Sequence, residues 1–321
     1  MNRKGFIFVV SSILIVAILL LVFLSFDQYS YSDETVANQR RLTFADDFVK
    51  GFNQDLERAI RIASFRSLIA LEEHIALSGQ FLDDTEAQFA ETVYNGTIGG
   101  VPANIMSNSS IVEYLSRINN IGNRFGLEVD VSVSDILLSQ SDPWFVNVVV
   151  VANVSIYDTA NRASWNFLEY YESEVPIDNL RDPLYAISTQ NRFYNTIRQF
   201  PLTLGEGDHA NNLKILLDNS FYVESEFAPN FIQRFSNDLT PNPESGIESL
   251  VNVLAISDQN VDVYPNRIKV DYIYFNPDLD ALFVDRICSF DGVDDSYHLI
   301  LPEDRIALYH ALSLNPSFSC P

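Results

Sequence analysis

The sequence predicts an α+β protein in which a long N-terminal helix packs on an antiparallel β-meander, followed by a second, smaller α+β domain. Three observations predict it. An uncharged apolar run spans 6–26, a helical pattern continues from Leu42 to Leu77, and three strand-like segments follow between residues 127 and 176. Helical and strand patterns that occupy separate blocks of a chain are typical of the α+β class.

The apolar run 6–26 contains no charge and no proline. As a helix it reaches about 31 Å, the thickness of one bilayer core. Arg3 and Lys4 precede it, which favours a cytoplasmic N-terminus. The run therefore predicts a transmembrane helix in contact with membrane lipid, in a single-pass plasma-membrane protein whose later domains are extracellular. A cleaved secretory signal is the alternative, but Ser25-Phe26-Asp27 does not offer the small residues of a cleavage site.

A spine helix over 27–80 is predicted to continue from this run. Phe44, Phe48, Phe52 and Leu56 recur every four residues and so lie on one helix face, and Gly79 is a helix-ending residue. Two shorter helices are predicted after it. Their starts are marked by the capping patterns Asp83/Glu86 and Ser110/Glu113.

The meander is predicted from residue alternation and from short turns. Apolar and polar residues alternate over 127–134, and the segments 144–157 and 164–175 are rich in β-branched and aromatic residues. The second half is less regular, but it contains further helix-like and strand-like segments. Helices are predicted at 213–217, 229–235 and 302–311, and strands at 247–256, 268–275 and 282–287. The domain organisation is thus a basic leader 1–5, the transmembrane helix 6–26, the spine 27–80, an α+β domain 81–180 and a second exterior domain 181–321.

Composition excludes one class of partner. The 321 residues carry 43 Asp and Glu against 20 Lys and Arg, a formal charge of −23. Such an acidic surface repels nucleic acid, so no nucleic-acid partner is expected. The aromatic pair Tyr272 and Tyr274 offers either an adhesive patch on a strand or ordinary core packing.

Two kinds of covalent feature are expected outside the cell. Cys288 and Cys320 are predicted to form a disulfide that closes the C-terminal segment, with two unpaired thiols as the alternative. Asn95, Asn108 and Asn153 begin N-x-[ST] sequons and are glycosylation candidates. Asn153 is the weakest of the three because it lies in a strand pattern.

No pattern points to catalysis. The chain contains no G-x-S-x-G, phosphate-loop or H-E-x-x-H motif, and its histidines His74, His209, His298 and His310 lack a ligand spacing. The acidic turns 278–280 and 291–295 are solvated loops or candidate calcium loops without EF-hand spacing. We therefore predict no enzyme, no catalytic residues, no cofactor and no metal site.

The leader resembles that of type IV pilins. Arg3-Lys4-Gly5-Phe6 runs directly into an apolar helix, and a long helix followed by an antiparallel meander is similar to the architecture of that family. The resemblance implies cleavage between Gly5 and Phe6. Val10 stands where bacterial pilins usually carry glutamate, so the resemblance is to archaeal pilin-like, membrane-anchored surface proteins. The stretches 175–185 and 246–250 are also similar to large proteins of that kind.

A structural role follows from this resemblance. The sequence predicts a membrane-anchored pilin-like structural or adhesion protein, such as a minor pilin, with other pilin-like subunits or surface proteins as partners. An anchored ligand-binding ectodomain that acts through a membrane partner is the alternative. An anchored hydrolase is a third reading, which would need a nucleophile, a histidine and a carboxylate to converge in a pocket.

Overall fold

A single continuous helix dominates the N-terminal part of the protein. The computed structural model describes residues 3–288 and 290–316; within the first helix, the side chains of 3–9, 25–35 and 37 lie outside the description. Helix α1 extends from Arg3 to Ser78. Gly79 follows in the left-handed region at φ 66°, and its N–H donates to the carbonyl of Ile75 at 2.9 Å. The predicted helix end at Gly79 is confirmed.

The predicted membrane crossing requires a correction. Among the residues whose side chains are described, no helix contains a stretch long and apolar enough to span a bilayer. The apolar stretch described within α1 runs from Val10 to Leu24.

This finding contradicts the transmembrane helix predicted at 6–26 and, with it, the single-pass plasma-membrane localisation. Positions 6–9 and 25–26 of that prediction lie outside the residues with described side chains. The predicted contact with membrane lipid depended on the same helix.

Two helices and a small hairpin connect α1 to the main sheet. Helix α2 covers Thr85–Asn95 and α3 covers Ile111–Arg124, with the short strands β1 (Thr97–Ile98) and β2 (Val101–Pro102) between them. The capping box of Ser110 and Glu113 at the start of α3 is confirmed. The cap of α2 is Asp84, one residue later than predicted, because its side chain accepts from the N–H of Ala87.

The predicted meander is confirmed as a three-stranded antiparallel sheet in the order β3-β4-β5. Its strands are β3 (Leu127–Asp142), β4 (Phe145–Asp158) and β5 (Ser164–Pro176). On β4, Val146, Val148 and Val150 are buried and belong to the same core as the inner face of α1. Helices and an antiparallel sheet together confirm the α+β class.

The rest of the chain consists of short elements. The helices are α4 (Pro183–Ser188), α5 (His209–Asn219), α6 (Phe231–Phe235), α7 (Val253–Ser257), α8 (Asp271–Tyr274) and α9 (Pro277–Leu282). Two antiparallel strand pairs accompany them: β6 (Tyr222–Glu224) with β7 (Ile247–Ser249), and β8 (Arg286–Cys288) with β9 (Ile300–Pro302).

Several elements predicted here are wrong. The strand predicted at 268–275 is the helix α8, and only the first residues of 247–256 form a strand. The predicted helix 302–311 is replaced by short 3₁₀ turns at Glu303–Arg305 and Ala311–Leu314. The helix predicted at 213–217 is confirmed within α5, the end of the segment 229–235 forms α6, and the end of the segment 282–287 begins β8.

The core formed by α1 and the sheet extends beyond the predicted domain boundary. Tyr222, Phe231, Phe235 and Ile247 are buried in the same hydrophobic cluster as α1 and β4. A second cluster gathers around α5, α8 and the pair β8–β9. The boundary between 180 and 181 stays a prediction.

Candidate functional site

An exposed apolar segment of α1 is the first candidate for function. We call Val10–Leu24 the projecting segment. Its large apolar side chains are all exposed, from 43% for Val10 to 74% for Phe23. The first buried side chain described on α1 is Ala45. Nearby, the side chain of Arg41 pairs with Asp158 at the end of β4. The segment therefore lies N-terminal to the part of α1 that packs in the core.

A buried ionic network is the second feature, and sequence reasoning missed it. Arg234 on α6 is fully buried, and its Nη1 lies 2.6 Å from Asp182 Oδ2 and 2.9 Å from Asp271 Oδ2. The hydroxyl of Tyr222 donates to the same Asp182 oxygen at 2.7 Å, and that of Ser249 donates to Asp271 at 3.0 Å. One guanidinium thus holds two carboxylates from α8 and the start of α4.

The electrostatics of this network follow from burial. Burial raises the pKa of Asp271 to about 6, against the lowering effect of Arg234. Burial alone would lower the pKa of the Arg234 guanidinium, but Asp182 and Asp271 raise it above its usual value. Arg234 therefore stays charged, and it compensates carboxylates that would otherwise be costly to keep ionised out of water.

A second ionic cluster lies beside the first. The Nε of Arg305 donates to Glu248 Oε2 at 3.0 Å, and the hydroxyls of Tyr309 and Ser225 donate to the two oxygens of the same carboxylate at 2.9 Å each. Arg305 also donates to the hydroxyl of Tyr272. Glu248 is thus fully buried with three partners on its two oxygens.

Glu72 on α1 is a further buried carboxyl, and it lies close enough to Arg181 and Asp182 for both to affect its pKa. It lies on the buried face of α1, 7% exposed, and its Oε1 has no hydrogen-bond partner among the described residues. Burial raises the pKa of Glu72 to about 8, while the backbone and side chain of Arg181 lower it and Asp182 raises it. A carboxyl in this position favours its neutral form at pH 7.

The stretches 175–185 and 246–250 meet in these clusters. The first supplies Asp182 and Tyr185, and the second supplies Glu248 and Ser249. The hydroxyls of Tyr185 and Ser249 lie 3.0 Å apart. Because these side chains are buried, we expect their hydrogen bonds to contribute to the stability and specificity of the fold.

Gly246 begins the second of these stretches and permits its close packing. A Cβ at this position would overlap the backbone carbonyls of Ser225, Ala228 and Asn242. We expect Gly246→Ala to lower the free energy of unfolding by about 1–3 kcal/mol, as overpacking does. Urea unfolding followed by circular dichroism measures this change. Gly51→Ala is the matched control, because a Cβ there meets nothing within 4 Å and should stabilise α1 slightly. Equal effects of the two substitutions would contradict the prediction.

The structure places the sequence-predicted modification sites on the surface or outside its description. The predicted cleavage pair Gly5 and Phe6 lies within α1, in the range whose side chains are outside the description. Asn95 is the last residue of α2, Asn108 has φ 60°, and Asn153 lies on β4; all three side chains are exposed. Their glycosylation stays a prediction.

Cys288 and the pair Tyr272 and Tyr274 are all buried, which bears on the predicted disulfide and on the predicted adhesive patch. Cys288 on β8 is 7% exposed and takes part in a disulfide, so it is not a free thiol. Cys320, its predicted partner, lies outside the described residues. Tyr272 and Tyr274 are 3% and 2% exposed on helix α8, so the idea of an adhesive strand patch is wrong.

The histidines and acidic turns show no metal centre in the described part of the chain. There, no group of three or more His, Cys, Asp or Glu side chains is arranged to hold a metal ion. His209 and His310 come together with ring centroids 5.6 Å apart, a pairing that their sequence positions did not indicate. Asp280 accepts the N–H of Ile268 and pairs with Arg286, so this acidic residue has a structural role.

No known family model matches this chain, and no curated protein or solved structure matches it either. The resemblance to type IV pilin-like proteins therefore stays a prediction.

Proposed function

We propose that this protein is a pilin-like structural subunit that joins other copies of itself through the projecting segment of α1. One observation carries the proposal. Ile13, Leu14, Ile15 and Val16 are consecutive and each is more than half exposed, so the helix is apolar around its whole circumference. A helix that is apolar on all sides is normally buried in the functional state, and large exposed apolar surfaces mark interaction sites.

Charge favours other copies as the partner of this segment. The chain carries a formal charge of −23, so most of its surface repels a second copy. The stretch 5–26 has no charged residue, and Arg3 and Lys4 precede it. It is therefore a part of the chain that can approach an acidic neighbour without repulsion.

Disrupting this surface should abolish a defined self-association. We expect the full chain to self-associate, and Leu14→Glu to raise the concentration needed for assembly at least roughly tenfold, a loss typical of a central interface residue. Sedimentation velocity over a concentration series measures this. Leu77→Glu is the matched control on the same helix, since Leu77 is 83% exposed near the end of α1 and far from the projecting segment.

Two outcomes would overturn the proposal. The first is a full chain that stays monomeric at every concentration. The second is a chain that floats with phosphatidylcholine vesicles as a monomer, because the apolar segment would then bind lipid instead of other copies.

A further inference from the structure

The main sheet has one face on which no helix or strand packs in the part of the chain that the structure describes, although side chains of α1 reach one end of it. We call the outward-facing positions of β3, β4 and β5 the open face. Leu137, Leu168 and Tyr170 on this face are each at least half exposed, at 50%, 55% and 59%. The opposite face carries the buried valines of β4 and packs in the core with α1. Among the described residues, the sheet is therefore a layer with helical packing on one face and exposed apolar side chains on the other.

Strand register makes these side chains one patch. Leu137 is paired with Val149, Val151 with Tyr170, and Asn153 with Leu168. Paired residues of antiparallel strands share a face, and their Cβ atoms lie about 5 Å apart. The apolar side chains of the open face are therefore contiguous across all three strands.

The open face is acidic at its margins. The carboxylates at the paired positions of this face are those of Glu128, Asp130, Asp135, Asp142, Glu172 and Glu174, and no lysine or arginine is paired with the outward positions of β4 from 145 to 157. A partner with an acidic surface would be repelled here. An uncharged apolar partner preceded by basic residues would not.

One end of the open face is concave. A groove of about 600 Å³ there is lined by residues that include Arg58 and Arg61 of α1, Val149 of β4, and Glu172 and Glu174 of β5. No ion pair within 4.0 Å joins these arginines to these glutamates in the described structure; the partner of Arg58 is Asp55 at 3.7 Å. Grooves with apolar side chains in their lining are common binding sites for helices.

We propose that the open face of one copy receives the projecting segment of α1 of the next copy. This inference rests on the proposed function and names the surface that the segment contacts. The contact is between molecules, because α1 is one continuous helix and its N-terminal end cannot return to the far side of its own sheet. The two surfaces differ, so the contact is head-to-tail and generates rings or filaments.

Cysteine cross-linking in the full chain tests this contact. The variant Leu20→Cys/Leu168→Cys joins an exposed position of the projecting segment, 58% exposed, to the open face. We expect mild oxidation to give a ladder of cross-linked multimers on a non-reducing gel. Leu20→Cys/Leu312→Cys is the matched control, because Leu312 is 70% exposed and lies outside the sheet. It should give no ladder beyond a dimer.

A second variant separates this inference from the proposed function. Leu168→Glu adds a charge to an exposed position of the open face and should raise the concentration needed for assembly at least roughly tenfold. Assembly that survives Leu168→Glu but is lost in Leu14→Glu would overturn the open face as the acceptor and leave the proposed function standing. A ladder of equal extent in the Leu312 control would also overturn it. Absence of assembly in the unmodified chain would overturn both.

Discussion

Replacing Arg234 with alanine should lower the free energy of unfolding by about 3–5 kcal/mol at pH 8, because removing one partner of a buried ion pair leaves uncompensated charge. Here two carboxylates, Asp182 and Asp271, lose their only guanidinium contact described in the structure. Guanidinium chloride unfolding monitored by tryptophan fluorescence and circular dichroism gives the free energy. The loss should be smaller at pH 5, since protonation of Asp271, whose pKa is already raised by burial, removes part of the unpaired charge.

Arg58→Ala provides the matched control for this prediction. The Arg58 side chain is 76% exposed and lies 3.7 Å from Asp55, so its loss should change stability by less than about 1 kcal/mol. An Arg234→Ala loss no larger than this control would show that the buried network contributes little. Retention of the full loss at pH 5 would contradict the assigned role of Asp271.

Replacing Glu72 with glutamine should stabilise the protein most at alkaline pH. The pKa of Glu72 is raised from 4.5 to about 8 in the folded state, chiefly by burial. Between these values the folded chain holds a proton that the unfolded chain releases, so the contribution of Glu72 to stability falls as pH rises from about 4.5 to about 8. At pH 8 the cost reaches up to about 4 kcal/mol, since each pKa unit corresponds to about 1.4 kcal/mol. Glu72→Gln removes this cost, and thermal unfolding at pH 5, 6.5 and 8 measures the gain.

Glu73→Gln is the control for Glu72. Glu73 is the next residue on α1 and is exposed, so its substitution changes the same formal charge without touching the core. The difference in unfolding free energy between the two variants should grow steadily from pH 5 to pH 8. A constant difference across this range would contradict a buried, proton-holding carboxyl at position 72.

The parts of the fold that could be predicted are those with strong local periodicity. Alternation along β3 and the four-residue spacing of Phe44, Phe48 and Phe52 correspond to the observed sheet and helix. The segment 268–275 could not be assigned in this way. Tyr272, Ile273 and Tyr274 are all buried, and a short run that is buried on every side has no period that distinguishes helix from strand.

The buried network was beyond sequence reasoning for a different reason. Asp182, Arg234 and Asp271 are far apart along the chain and belong to three short helices. No local spacing relates them, and a charged residue in an acidic chain is ordinarily assigned to the surface. The apolar run 6–26, in contrast, was evident from the order of residues in the sequence, although its interpretation as a membrane span is contradicted.

The continuity of α1 has a mechanical consequence. The helix is about 114 Å long at 1.5 Å per residue, and one face of it is buried between Ala45 and Ile75. A pull on the exposed end along the helix axis would load this buried interface in shear, so that many packed side chains resist the force together. A helix loaded in this way can withstand more tension than a strand whose hydrogen bonds break one at a time.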